Sequence, residues 1–157
     1  MKNDAFDQWL NTTPENPDEW MSKGLKIALA ALNMENAVIS RVENRDYIIQ
    51  QAECLSGCSF SRGDQFELSN TYCEAVIRQH KTISFSQAGN IPEMRLHPVY
   101  QSIHMESYIG TPIFNKENSV MGTLSFSAQG VRENSFSADE ISFVEQMAKK
   151  LNQVFNQ

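Results

Sequence analysis

Tyr108-Ile109-Gly110-Thr111-Pro112-Ile113-Phe114, then Asn115-Lys116-Glu117-Asn118, then Ser119-Val120-Met121-Gly122-Thr123-Leu124-Ser125-Phe126 follow one another without a break. Two runs rich in β-branched and aromatic residues flank a four-residue polar turn, which predicts a hairpin. Each run carries an internal glycine, Gly110 or Gly122. Glycine weakens a strand and has no side chain to pack. At such a position it marks a bulge, or a close approach by a ligand or another backbone. Pro112 cannot donate a ladder hydrogen bond, so its strand needs an edge or an irregularity there.

Upstream of the hairpin, Ala37–Val42 and Tyr47–Ala52 predict a second antiparallel pair, with a turn around Glu43-Asn44-Arg45-Asp46. Thr82–Phe85 reads as a short fifth strand. The segment Cys54–Gln65, with Gly57, Gly63 and several serines, reads as a loop, as does Gln87–Met94 with Gly89 and Pro92. Ser69 or Asn70 is a candidate cap for a helix to about Gln79, and Pro98–His104 for one or two helical turns.

Helices are expected at both ends. Asn16-Pro17-Asp18-Glu19 supplies a capping residue, a first-turn proline and two acids at the positive end of the dipole. Trp20, Met21, Leu25, Ala28, Leu29 and Leu32 then recur at helical spacing. At the other end Ser137-Ala138-Asp139-Glu140 is a capping box, followed by a stripe of Ile141, Val144, Met147, Ala148, Leu151 and Phe155. Phe143 and Val154 lie off that stripe, as spare apolar surface for a dimer contact. Hairpin-joined strands bounded by helices define an α+β class with an antiparallel sheet. Residues 1–15 read as a loosely ordered or short helical lead-in, with Trp9 and Leu10 available to dock, and 16–157 as a single domain.

With 157 residues the chain has the size of one domain and can bury a core. A net charge of -6 argues against a generic nucleic-acid or anionic-membrane binder, whose footprint would be basic. No apolar run reaches 18 residues, so no membrane span is expected. Met1–Asp7 lacks the apolar core of a signal peptide, and three cysteines are an odd number. Both favour a cytoplasmic setting with free thiols. Cys54 and Cys58, separated by three residues, are expected to be incidental free cysteines. A structural zinc site would need a second ligand pair, and His80, His97 and His104 are scattered.

A longer series of residues carries a family resemblance. It comprises Gly63-Asp64-Gln65-Phe66-Glu67-Leu68, Thr71-Tyr72-Cys73, His97-Pro98-Val99-Tyr100, Glu106–Ile113, Gly122–Phe126, and then Arg132, Phe136, Asp139 and Phe143-Val144. In this order and spacing the chain resembles a GAF domain over roughly Leu25 to Leu151. It is most similar to the bacterial sensory GAF domains attached to histidine kinases and diguanylate cyclases. The resemblance implies a PAS-related antiparallel sheet of five or six strands, with terminal helices on one face and connecting segments over the other. The ligand would lie between the sheet and those segments. By position Tyr72, Cys73, His97, Tyr100, Tyr108 and Thr111 would line it. Tyrosine suits such a wall, offering apolar area with one hydrogen-bonding tip.

The resemblance also sorts possible chemistries. Some GAF domains reduce free methionine sulfoxide, and Cys73 falls near one of their cysteines. Those enzymes need reactive cysteines in the loop before the Tyr108 strand, where this chain has Arg95, Leu96, His97, Pro98 and Tyr100. Cys73 is therefore expected to be a small buried hydrophobe. Covalent bilin attachment needs a cysteine followed by histidine, but Leu96 precedes His97 and Ile103 precedes His104. A haem held by histidine alone stays open. Phe136, Asp139 and Glu140 resemble the second half of the cyclic-nucleotide signature Asn-Lys-Phe-Asp-Glu, but Asn115-Lys116 comes too early for the first half. Phosphate-binding, zinc-protease and serine-hydrolase motifs are absent from the sequence. The expectation is a non-enzymatic, small-molecule-binding sensory domain with no assigned cofactor and no metal. It would dimerise through its terminal helices and relay ligand state to an output of histidine kinase or diguanylate cyclase type. The alternatives are a methionine-sulfoxide reductase or a dimerisation module without ligand.

Overall fold

The computed structural model describes residues 1–156. Its elements in chain order are α1 (Asp4–Leu10), α2 (Pro17–Leu32), β1 (Asn36–Glu43), β2 (Asp46–Cys54), β3 (Gln65–Glu67), α3 (Cys73–Gln79), β4 (Ile83–Phe85), α4 (Pro92–Arg95), α5 (Pro98–Ile103), β5 (Ser107–Phe114), β6 (Val120–Ala128) and α6 (Ala138–Phe155). The strands form one six-stranded sheet in the order β3-β2-β1-β6-β5-β4. Every pairing is antiparallel. The α+β class, the two hairpins and the terminal helices are as the sequence leads one to expect.

Strand alternation divides the core into two layers. Ile39, Ile109, Ile113, Leu124 and Phe126 face the terminal helices, where Leu25, Leu29, Val144, Met147 and Leu151 meet them. Val38, Tyr47, Ile49 and Tyr108 face the other way, toward Leu68, Tyr72, Cys73 and Val76. β4 pairs with Tyr108, Ile109 and Gly110 only. Pro112 therefore lies beyond the end of β4, with a partner on the β6 side alone, which is how a strand between two others tolerates it.

The two strand glycines have different neighbours. A Cβ at Gly122 would stand 1.9 Å from the carbonyl oxygen of Ser40, in the adjacent strand. A Cβ at Gly110 would stand 2.1 Å from the hydroxyl of Tyr108, whose side chain lies back over its own strand. Gly122 is thus a close backbone approach, and Gly110 makes room for a ring.

Both terminal helices start as their sequences dictate. The Asn16 side chain accepts from the backbone N–H of Glu19, with Pro17 at the first turn. Ser137 and Glu140 form the reciprocal capping box. Arg132 ties the two helices together. One guanidinium nitrogen donates to the Leu32 carbonyl at 2.8 Å and another to the Glu140 carboxylate at 2.7 Å, and the group lies over the Phe136 ring.

Several expectations need correction. Of the two forms expected for the lead-in, the short helix is the one found: α1 is capped by Asn3 and buries Phe6 and Trp9. The Trp9 indole stacks on Trp20 at 4.3 Å and donates to the Trp20 carbonyl at 2.8 Å. Gly24 in α2 admits that ring, since a Cβ there would meet it at 2.5 Å. Phe6 stacks on Phe143 at 3.9 Å, so Phe143 is internal and not spare surface. The third helix begins at Cys73 and not at Asn70, and Tyr72 at its N-cap gives the helix no side-chain capping bond; its hydroxyl donates instead to the Met105 carbonyl at 2.8 Å. A 3-10 turn over Leu68–Asn70 precedes it. Gln65, read as loop, begins the short edge strand β3. The Gln87–Met94 loop holds a 3-10 turn at Ala88–Asn90 and the start of α4.

Candidate functional site

Away from the terminal helices, the sheet and the segments over it enclose a partly open cleft of about 480 Å³. Its floor is Val38, Tyr47, Ile49, Tyr108, Ser125 and Ser127, from β1, β2, β5 and β6. Thr71, Tyr72 and Cys73 at the start of α3 form one wall, and Val99, Ile103 and Met105 around α5 another. The volume lies within the about 300–1,000 Å³ typical of small-molecule sites.

Cysteines 54 and 58 close the remaining side, and here the expectation of free thiols fails: they are joined in a disulfide. Two local features bring them together. The β1–β2 register shifts between Ile39 and Ser40, so that Gln51 and Ile49 are their partners and Gln50 is an extra residue. The bulge turns Ala52 and Cys54 to the face already used by Tyr47 and Ile49. Gly57, at φ 83°, then reverses the chain and returns Cys58 to within 5.1 Å of Cys54, Cα to Cα. Cys54, Gly57, Cys58 and Phe60 all line the cleft.

At the base of the cleft the Cys73 sulfur lies among hydroxyls. Tyr108 donates to it at 3.1 Å and Thr123 at 3.3 Å, while the Tyr47 hydroxyl is 3.8 Å away. The Thr123 and Ser40 hydroxyls are 2.7 Å apart, which extends the cluster into β1. Burial, reinforced by the neighbouring thiol, pushes the Tyr47 and Tyr108 phenols well above the usual tyrosine range. Both remain neutral donors at any physiological pH. Cys73 is buried as expected, but as part of a polar cluster and not simply among hydrocarbon.

The six candidate residues divide. Tyr72, Cys73 and Tyr108 line the cleft. His97 lies behind it, with its ring on Tyr72 at 4.8 Å and Nδ1 accepting from the Val99 backbone at 3.1 Å. Tyr100 is also outside, donating to Glu106 at 3.2 Å and packing on His104. Thr111 is on the wrong face of the sheet. It is three positions along the strand from Tyr108, and alternation puts such a pair on opposite sides. Its hydroxyl meets Thr82 at 2.8 Å, beside Glu145 of α6. The sequence reading missed Tyr47, Ser125 and the disulfide loop. A signal for β6 was present: Thr123, Ser125 and Ser127 alternate with Leu124 and Phe126, marking a polar floor.

Burial lowers the His97 pKa, outweighing the backbone of Thr71 and the Glu74 charge, which both raise it. The folded protein therefore resists protonating this imidazole more than the unfolded chain does. Stability from this group is present above the unfolded value near 6.5 and declines as pH falls toward the lowered folded value. An NMR titration should find the His97 midpoint below 6.5, and His97→Gln should flatten the stability profile in that window.

Among the described residues no group of three or more His, Cys, Asp or Glu is placed to hold a metal ion. No described helix is long and apolar enough to cross a membrane.

The family model described as GAF domain matches residues 16–155. A search of curated proteins by sequence gives no match. Solved structures similar in fold include the GAF domain of an Acinetobacter phosphoenolpyruvate-protein phosphotransferase. It is 17% identical with a TM-score of 0.75, covering 98% of this chain and 94% of that one. The free methionine-R-sulfoxide reductase of Neisseria meningitidis, solved with its substrate, is 13% identical with a TM-score of 0.74, covering 96% and 86%. The GAF domain of a two-component sensor histidine kinase from Bacillus halodurans is 17% identical with a TM-score of 0.61, covering 82% and 88%.

Proposed function

This chain belongs to the GAF domain family, and on that premise we propose that it is a non-enzymatic sensory domain that binds a small molecule in the cleft. One observation carries the reading. The strands that floor the cleft also hold the terminal helices on their reverse side. In β1, Val38 faces the cleft and Ile39 the helices; in β6, Ser125 faces the cleft and Leu124 the helices. A ligand that shifts these strands alters the seat of α2 and α6. Arg132, bonded to the end of α2 and the start of α6, makes the two respond together. Such a relay works only if the ligand favours one of two helix arrangements. The output in this proposal is a signalling enzyme of histidine kinase or diguanylate cyclase type, in a bacterial cytoplasm. Dimerisation through α2 and α6 belongs to the proposal in a narrower form. Leu151 is in the core and Phe143 is covered, which leaves the half-buried Ile27 and Ala31 of α2 and Ile141, Val154 and Phe155 of α6.

Native mass spectrometry of freshly purified protein tests binding and oligomeric state together. Adding the retained molecule should slow or speed amide exchange in α2 and α6. Retained ligand with unchanged exchange in both helices counts against the relay.

One observation favours a second reading, a methionine-sulfoxide reductase: all three cysteines line the same cleft. A turnover assay with free methionine sulfoxide and a dithiol reductant decides between them. Activity that disappears in Cys73→Ser would overturn the non-enzymatic reading.

A further inference from the structure

We propose that the cleft selects an uncharged, flat aromatic molecule with a hydrogen-bonding edge, and discriminates against both anions and organic cations on the same scaffold. This rests on the small-molecule reading above and names the ligand class for that site.

The argument begins with charge. The chain has 13 Lys and Arg and 3 His. Among the described residues, none that lines the cleft is Lys, Arg or His. A phosphate or carboxylate placed there would lose its hydration without gaining a counter-charge, which is strongly unfavourable. Helix α3 offers an anion little compensation. Its seven residues end one side of the cleft, and Glu74 stands in its first turn.

A cation finds a single counter-charge, at an exposed residue on the rim of the cleft and away from its floor. Among the described residues the one charged group lining the cleft is Glu35. That carboxylate already accepts from the Gln129 backbone N–H at 2.6 Å, at the rim between β1 and β6. The tyrosine rings do not form an open cage for a cation. Tyr72 stands edge-on to Tyr108 at 5.4 Å and to Phe85 at 4.9 Å, and Tyr108 stacks on Phe85 at 5.4 Å. The rings are occupied with one another.

What remains has two parts. Val38, Ile49, Phe60 and Tyr72 offer apolar area for a flat ring system. Ser125, Ser127 and Asn36 stand together along β6 and β1, where Ser127 pairs with Asn36 in the ladder. These neutral groups suit the hydroxyl, carbonyl or amide edge of a neutral ligand. The Tyr47 and Tyr108 phenols add no charge, because burial keeps them protonated.

The test uses matched probes on one ring system: indole-3-ethanol (neutral), indole-3-acetate (anion) and tryptamine (cation). A phenyl triplet, 2-phenylethanol, phenylacetate and phenethylamine, repeats it with a smaller ring. Binding is measured by titration calorimetry and saturation-transfer NMR on the full chain. The expected result is at least about tenfold tighter binding of the alcohol than of its acid or amine. That binding should be lost in Ser127→Leu, which fills the floor. Asn70→Trp closes the mouth from an exposed position and gives a second control that leaves the core intact. Tighter binding of either charged member, with sensitivity to the same two variants, overturns the ligand class and leaves the sensory reading standing. Failure of every probe to bind overturns this proposal. If native mass spectrometry also finds no retained molecule, the sensory reading falls with it.

Discussion

Gly122→Ala is expected to destabilise the protein by more than ~3 kcal/mol, the largest effect of any single added methyl group in this sheet. The methyl carbon would sit 1.9 Å from the Ser40 carbonyl oxygen and 2.9 Å from its carbon. Those are backbone atoms in β1, and β1 is held on both sides, by β2 and by β6. Neither strand can retreat without breaking ladder hydrogen bonds. Gly110→Ala is the informative comparison. There the obstructing atom is the Tyr108 hydroxyl, at the end of a side chain that can turn. The smaller loss expected for it should come with a specific signature: Tyr108 leaves Cys73, and the thiol gains reactivity toward a small alkylating reagent. Urea denaturation followed by circular dichroism ranks the two. A Gly122→Ala midpoint equal to that of the wild type would show that the strands are not held as closely as the structure has them.

These glycines show where sequence reasoning reached its limit. Gly110 and Gly122 stand out in apolar runs, and that alone points to a bulge or a close approach at each without deciding between them. What approaches does not follow, because the Ser40 carbonyl is 82 positions from Gly122 in the chain and meets it only through the β1–β6 pairing. The same limit explains β3. Its three exposed residues, Gln65, Phe66 and Glu67, have no alternation to announce a strand, and only pairing with Asp46–Ile48 makes them one.

The candidate site was legible where alternation could be applied and misread where it was neglected. Tyr108 and Thr111 cannot share a face of an unbroken strand, and the sequence suffices to say so. Cys54 is a different case. Counting by twos from Tyr47 puts it on the helix side, and only the extra residue at Gln50 reverses that. Nothing in Ile48-Ile49-Gln50-Gln51 announces a bulge. The disulfide therefore depended on two features hidden from the sequence, that bulge and the reversal at Gly57. His97 and Tyr100 were placed by resemblance alone. The segment carrying them brings Val99 and Ile103 to the cleft instead, so its helical phase, and not its composition, decided the outcome.

Trp9→Ala is expected to cost about 3–5 kcal/mol, as deletion of a buried tryptophan does. The residue is 2% exposed although it lies in a segment whose composition reads as polar. Its effect should depend on a second position, and that dependence is the stronger test. Gly24 is in the middle of α2, where glycine is less favourable than alanine by about 1 kcal/mol. The structure explains the glycine by the indole ring, 2.5 Å from where a Cβ would be. Gly24→Ala should therefore destabilise the wild type but stabilise the Trp9→Ala protein, a reversal of sign that a double-mutant cycle measures directly. Independent contributions at the two sites would show that α1 does not dock through this pair. Undocking α1 also removes Phe6 from Phe143. That returns to α6 the uncovered apolar ring that the sequence suggested as a dimer contact. Light scattering should then find self-association in Trp9→Ala beyond that of the wild type, and Phe143→Ser in the same background should abolish it. If Trp9→Ala stays at the wild-type mass while losing the expected stability, α1 is a structural brace only and Phe143 has no part in assembly.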